Sequence, residues 1–130
     1  VMEGLKELKK QLDKEKKPLK FGTLVVFTDG TDRAARFSRE DMKQEMMKEQ
    51  YSDYEMYAIG VGAEIQKAKL GDIGRDGTEL ATESADVKTA FERVADRIDR
   101  HTKRFYLLSY CTPARKGKHT VRIVANSKDP

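Results

Sequence analysis

The chain has 130 residues, of which 37% are charged, and its formal net charge is +4. This length suits one domain, and the single cysteine, Cys111, excludes an intrachain disulfide and a multi-cysteine metal site. No apolar run reaches the roughly 18 residues of a membrane span, so we expect no membrane segment. The basic residues between Lys6 and Lys20 are interrupted by acidic ones and lack interleaved aromatics, which indicates a solvated helix face, and no nucleic-acid partner is predicted.

Hydrophobic spacing predicts strands that alternate with helices. Apolar residues at steps of three and four indicate helices packed on one side, whereas continuous apolar runs such as Leu24–Phe27 are typical of parallel strands buried on both faces. Ser38 and Asp41 have the spacing of a capping box, and Phe37 can pack on Met42 as a hydrophobic staple. The predicted elements are a helix at 2–17, a strand at 23–27, a helix at 38–50, a strand at 55–61, a short helix at 65–70, a short strand at 78–82, a helix at 86–103, and strand-like runs at 105–111 and 120–124.

This order predicts an α/β fold, a partial doubly wound (Rossmann-like) and mostly parallel sheet with helices on both faces. The seven-residue connection Thr112–Lys118 includes Pro113 and Gly117, which favours a C-terminal antiparallel hairpin. We expect a single domain over residues 1–130, with a βα core portion at 1–104 and a hairpin extension at 105–130.

The first strand is followed by the most promising candidate site, because ligands of open α/β sheets bind beyond the carboxyl ends of the strands. Asp29 and Asp32 flank Gly30 and Thr31 there. Carboxylate oxygens in a glycine-containing turn suit Mg²⁺ or Ca²⁺. A simple tight turn explains the same residues about equally well, because Asp and Gly are favoured in turns.

Catalytic constellations are not recognisable. Phe27 stands where phosphatases of the haloacid dehalogenase type carry their nucleophilic aspartate, and it cannot attack a phosphate. His101 falls near the end of a predicted helix, where a surface role is expected, and His119 has no partner in the sequence. Cys111 is expected to pack in or near the core. No catalytic residue is predicted.

Two motifs resemble those of von Willebrand factor A domains. The strand that ends in Thr-Asp-Gly at residues 28–30 and the later Tyr-Ala-Ile-Gly-Val-Gly at 57–62 are similar to paired motifs of that family, and the run from Phe105 is similar to an extension of some bacterial members. The resemblance implies a protein-interaction or adhesion module, not an enzyme. Its metal-ion-dependent adhesion site would hold Mg²⁺ or another divalent cation, and an acidic residue of a protein ligand would complete the shell. Only the third metal loop maps here, onto Asp29.

The family's first metal loop, Asp-x-Ser-x-Ser, does not occur in the 130 residues, so the resemblance implies that the N-terminal part of the domain is not among them. We therefore expect Thr23–Phe27 to pair with a second copy, as a homodimer or by strand exchange, or with an N-terminal fragment. The chain alone should bind Mg²⁺ weakly or not at all. The resemblance leans toward an extracytoplasmic setting, periplasmic or secreted. Two alternatives stay open: a Mg²⁺-dependent phosphate-handling enzyme using Asp29 and Asp32, and a structural domain with a vestigial site.

Overall fold

A computed structural model describes residues 1–29, 38–62, 65, 70–113 and 116–126. In these ranges the helices are α1 (Met2–Lys14), α2 (Arg39–Met46) and α3 (Ser84–Thr102), with a short 3-10 helix at Glu49–Tyr51. The strands β1 (Thr23–Thr28), β2 (Glu55–Val61) and β3 (Gly77–Ala81) form one parallel sheet in the order β1-β2-β3. The predicted α/β class with a parallel sheet is therefore confirmed. None of the helices in these ranges is long and apolar enough to cross a bilayer.

The predicted boundaries hold to within a few residues. β2 begins and ends where predicted, whereas α1 already ends at Lys14, before Pro18 is reached. The capping box is confirmed, because the Ser38 hydroxyl accepts the Asp41 amide at 3.1 Å while the Asp41 carboxylate accepts the Ser38 amide at 3.2 Å. Phe37 of the predicted staple and most of the predicted helix at 65–70 lie outside the described residues.

β2 is the central strand, and it supplies side chains to a core on each face of the sheet. Its residues 55–60 are all buried, as expected for a parallel strand covered on both sides. On one face the core contains Tyr57, Ile59, Ala81, Ala90 and Val94, and the last two belong to α3. On the other face it contains Leu5 of α1, Met46 of α2, Tyr51 and Met56. The predicted covering of both faces by helices is thus observed.

β1 differs from the prediction, because it is not buried on both faces. Val25 is 36% exposed and Phe27 is 52% exposed, although Phe27 stacks on Phe91 of α3 with 5.6 Å between ring centroids. The reason is position: β1 is an outer strand of the three, and the buried α3 side chains pack against β2 and β3. Within the described ranges, β1 pairs with β2 on one side and with no strand on the other.

The C-terminal segment shows no strand pairing at residues 105–113 and 116–126, so the predicted hairpin is not formed there. Its apolar side chains are largely exposed, including Tyr106 and Ile123, and Cys111 is exposed instead of packed in the core. The physical reason is the lack of a covering layer, since an isolated two-stranded hairpin is marginal in water. Phe105, at the start of this segment, contacts the folded part of the chain, with its ring centroid 4.9 Å from that of Phe21.

Candidate functional site

Asp29 lies at the carboxyl edge of the sheet, directly after β1. The neighbouring strand β2 is followed by Gly62, whose φ of 115° is a conformation that favours glycine and whose amide donates to the Ala81 carbonyl at 3.0 Å. Because the strands are parallel, these positions share one edge, where ligands of open α/β sheets bind. The remaining predicted residues here, Thr31 and Asp32, lie outside the described residues.

The described residues at this edge do not form a complete cation site. No group of three or more His, Cys, Asp or Glu residues within the described ranges could hold a metal ion. Asp29 is exposed and supplies one carboxylate, whereas Mg²⁺ in proteins needs near-octahedral oxygen coordination. In addition, β1 is an outer strand, so the residues after it form only one wall of a crevice.

A second polar site, which the sequence does not predict, surrounds Glu55 at the opposite, amino edge of β2. Glu55 is only 8% exposed. Its Oε1 atom accepts the Tyr57 hydroxyl at 3.0 Å and lies 3.0 Å from Nδ1 of His101. Its Oε2 atom is buried and has no hydrogen-bond partner among the described residues. One oxygen of this buried carboxylate therefore has polar partners, and the other has none among the described residues.

Charged side chains line the depression of about 300 Å³ next to this carboxylate, namely Asp76, Arg97, Arg100 and Arg104. Two of them are committed to the fold: Asp76 accepts the Met56 amide at 2.8 Å, and Arg97 donates to Glu79 at 2.6 Å. The arrangement contains acids and bases but no activated nucleophile. It ties the end of α3 to the beginning of β2.

His101 is more than the surface histidine that its position predicts. It lies between the Glu55 carboxylate and two aromatic rings, with its own ring centroid 5.0 Å from Phe105 and 6.3 Å from Phe21. The sequence carries a signal for this, because the apolar stripe of α3 through Val94 and Ile98 continues at the same spacing to position 101. His119 is exposed, and its Nε2 atom lies 3.1 Å from the Lys116 carbonyl oxygen.

The lysines of α1 behave as a solvated helix face, as predicted. Lys9 pairs with Asp13 at 2.6 Å and Lys10 with Glu7 at 3.5 Å, each within one or two turns of the same helix. Pairs of this kind between exposed side chains contribute little to stability.

Burial within the Glu55 site predicts a specific alkaline response. Burial and the Glu55 carboxylate raise the pKa of Tyr57 from 10.0 to about 12. Above pH 10 the unfolded state therefore loses this proton first, and the free energy of unfolding should fall between pH 10 and about 12 by roughly 2–3 kcal/mol. Urea unfolding at several pH values measures the fall, and Tyr57→Phe should remove this contribution.

A matched control for that experiment is Tyr106→Phe, since Tyr106 is 81% exposed. It should keep the alkaline slope of the unchanged protein. Some slope persists in Tyr57→Phe, because burial also raises the pKa of Tyr51 and Tyr54. An equal slope in both variants would contradict the proposed environment of Tyr57.

Comparisons with known proteins do not assign a family: no protein-family model, no curated protein and no solved structure matches the chain.

Proposed function

We propose that the chain is a protein-interaction module of the von Willebrand factor A type, in which Asp29 contributes to a metal site that also needs residues beyond those described. The observation that carries the proposal is the place of Asp29 directly after an outer parallel strand, beside the residues that follow β2. The order β1-β2-β3 supports it, because the Thr-Asp-Gly strand and the Tyr-Ala-Ile-Gly-Val-Gly strand are neighbours in the sheet.

The role of the chain's own groups follows from this position. Asp29 holds a negative charge at the carboxyl edge, where a cation would supply the positive charge that an acidic residue of a protein ligand recognises. β1 offers an edge along which a further strand would bring the second wall of the crevice. Without that wall, a single carboxylate should hold a divalent cation only weakly.

Paramagnetic Mn²⁺ tests the assignment of Asp29, because it broadens the amide NMR signals of residues close to a bound ion even when binding is weak. We expect broadening centred on the residues that follow β1 and β2, with Gly62 among them. Asp29→Asn should abolish it, because the amide side chain lacks the charge that a hard cation requires.

Asp53→Asn is the matched control, since Asp53 is also exposed but precedes β2 at the amino edge. It should leave the broadening at Gly62 unchanged. Broadening that is the same in Asp29→Asn as in the unchanged protein would refute the assignment. Hydrolysis of phosphate esters that is lost in Asp29→Asn would replace the proposed module with an enzyme.

A further inference from the structure

We propose that two copies of this chain associate through β1, which pairs with β1 of the second copy in antiparallel orientation about a two-fold axis at Val26. The two three-stranded sheets would then form one continuous six-stranded sheet. A second copy would occupy the edge of β1 that the proposed metal site leaves to a further strand, so the two arrangements are alternatives at that edge, and the dimer needs no metal ion.

The backbone of β1 has hydrogen-bonding groups that point away from β2. The Gly22 carbonyl accepts the Glu55 amide at 2.9 Å, so the peptide groups of Gly22 face β2. Because a strand directs the N–H and C=O groups of successive residues to alternate sides, those of Thr23, Val25 and Phe27 face the outer edge. Among the described residues no strand pairs with that edge.

β1 lacks the features by which natural edge strands avoid pairing with other chains. Its sequence, Thr-Leu-Val-Val-Phe-Thr, contains no charge, no proline and no glycine. The other outer strand, β3, does have features that oppose pairing with another chain. It begins at Gly77, and it carries the buried carboxylate of Glu79, which forms an ion pair with Arg97. The two edges of one sheet thus differ, and only β1 has an uninterrupted apolar run.

Side chains on the sheet face that α3 covers favour the register in which Val26 of each β1 strand lies on the two-fold axis. In that register Phe27 of each copy stands opposite Val25 of the other, and these are the two half-exposed apolar side chains of the strand. Cross-strand pairs of aromatic and β-branched residues are among the stabilising ones. The backbone groups facing out at residues 25 and 27 also meet as hydrogen-bonded pairs in this register.

Charge at the two ends of β1 favours the antiparallel orientation. Lys20 precedes the strand, with Lys16 and Lys17 farther upstream, and Asp29 directly follows it. Antiparallel pairing brings the lysines of each copy towards Asp29 of the other, whereas parallel pairing would place the lysines of both copies side by side. A two-fold axis makes both contacts identical, so the same surface serves both copies and the assembly closes at two.

Sedimentation velocity over a range of protein concentrations tests the proposal. We expect a reversible monomer–dimer equilibrium that Val25→Lys weakens by roughly tenfold or more, because two ammonium groups would be placed near the axis. The matched control is Leu80→Lys: Leu80 is equally exposed at 36% but belongs to β3. It should leave the equilibrium unchanged. Circular dichroism verifies that both variants fold.

Disulfide trapping gives a readout that does not rely on weakening the dimer. In a Cys111→Ser background, Val26→Cys should cross-link to itself on mild oxidation, because non-hydrogen-bonded antiparallel pairs have Cα atoms about 4.5 Å apart, within disulfide range. Met47→Cys in the same background is the control, since Met47 is 80% exposed and lies after α2. It should cross-link much more slowly.

The proposal is overturned by a protein that stays monomeric at every concentration, or by equal cross-linking at positions 26 and 47. A dimer abolished by Leu107→Pro would also overturn it, because the occupant of the edge would then be the exposed C-terminal run. Asp29→Asn should weaken dimerisation only slightly, because an exposed charge pair contributes little, whereas it should abolish the Mn²⁺ broadening, so failure of the metal-site proposal and failure of this one are separable.

Discussion

Gly74→Ala is expected to lower the free energy of unfolding by roughly 3 kcal/mol, because the added methyl group meets backbone that cannot yield. A Cβ atom at this position would overlap the carbonyl oxygen of Gly77 and lie 2.8 Å from the amide nitrogen of Ala58. Both atoms belong to the sheet region, Ala58 to the central strand and Gly77 to the beginning of β3. Relief of the overlap would therefore require separating β2 from the turn that precedes β3.

Gly71→Ala provides the control in the same connection between β2 and β3. No heavy atom lies within 4 Å of the Cβ position at Gly71, so the free energy of unfolding should change by no more than about 0.5 kcal/mol. Urea unfolding followed by circular dichroism compares the two variants. Equal stability of the two would show that Gly74 is not enclosed as the structure has it.

Replacing both Arg93 and Arg97 by Met is expected to destabilise the protein by roughly 2–3 kcal/mol, because it leaves the buried carboxylate of Glu79 without a counter-charge. Arg97 lies 2.6 Å from Oε1 of Glu79 and Arg93 lies 3.3 Å from Oε2, while the Glu79 side chain is only 10% exposed. This loss of stability is at the low end of the range for breaking a buried ion pair, because the two arginines are partly exposed and their charges are screened by water.

A charge-neutral rescue separates this effect from the loss of arginine packing. Adding Glu79→Gln to the double variant removes the uncompensated charge and should restore most of the stability. Replacing Lys88 and Lys103 by Met removes the same number of positive charges from exposed pairs with Glu92 and Asp99. That control should change the free energy of unfolding by less than about 1 kcal/mol. A triple variant as unstable as the double one would contradict the argument.

Local patterns predicted the elements well where short-range physics decides them. The capping box of Ser38 and Asp41 and the continuous apolar run of β2 depend on neighbours in the chain, and both are observed as predicted. β1 has a similar continuous apolar run, which predicted the same burial, but its Val25 and Phe27 side chains are partly exposed. The burial of a strand depends on what lies beside it in the sheet, and hydrophobic periodicity carries no information about that.

The Glu55 site could not be predicted for a related reason. Glu55 is the first residue of β2 and His101 lies near the end of α3, 46 residues later, and the two meet only because α3 packs across the sheet. Asp29, in contrast, was accessible from the sequence, since the rule that places ligands after parallel strands needs only the strand itself. Sequence patterns therefore pointed to the carboxyl edge of the sheet, and they did not indicate the amino edge, where the buried Glu55 carboxylate lies.

The central place of β2 also bears on how the protein unfolds. Tyr57 and Ile59 anchor the core against α3, while Met56 anchors the core against α1 and α2. Both cores share this one strand, so loss of β2 would expose both of them at once. We therefore expect the sheet and its helices to unfold in a single cooperative step, with coincident transitions by circular dichroism and tyrosine fluorescence.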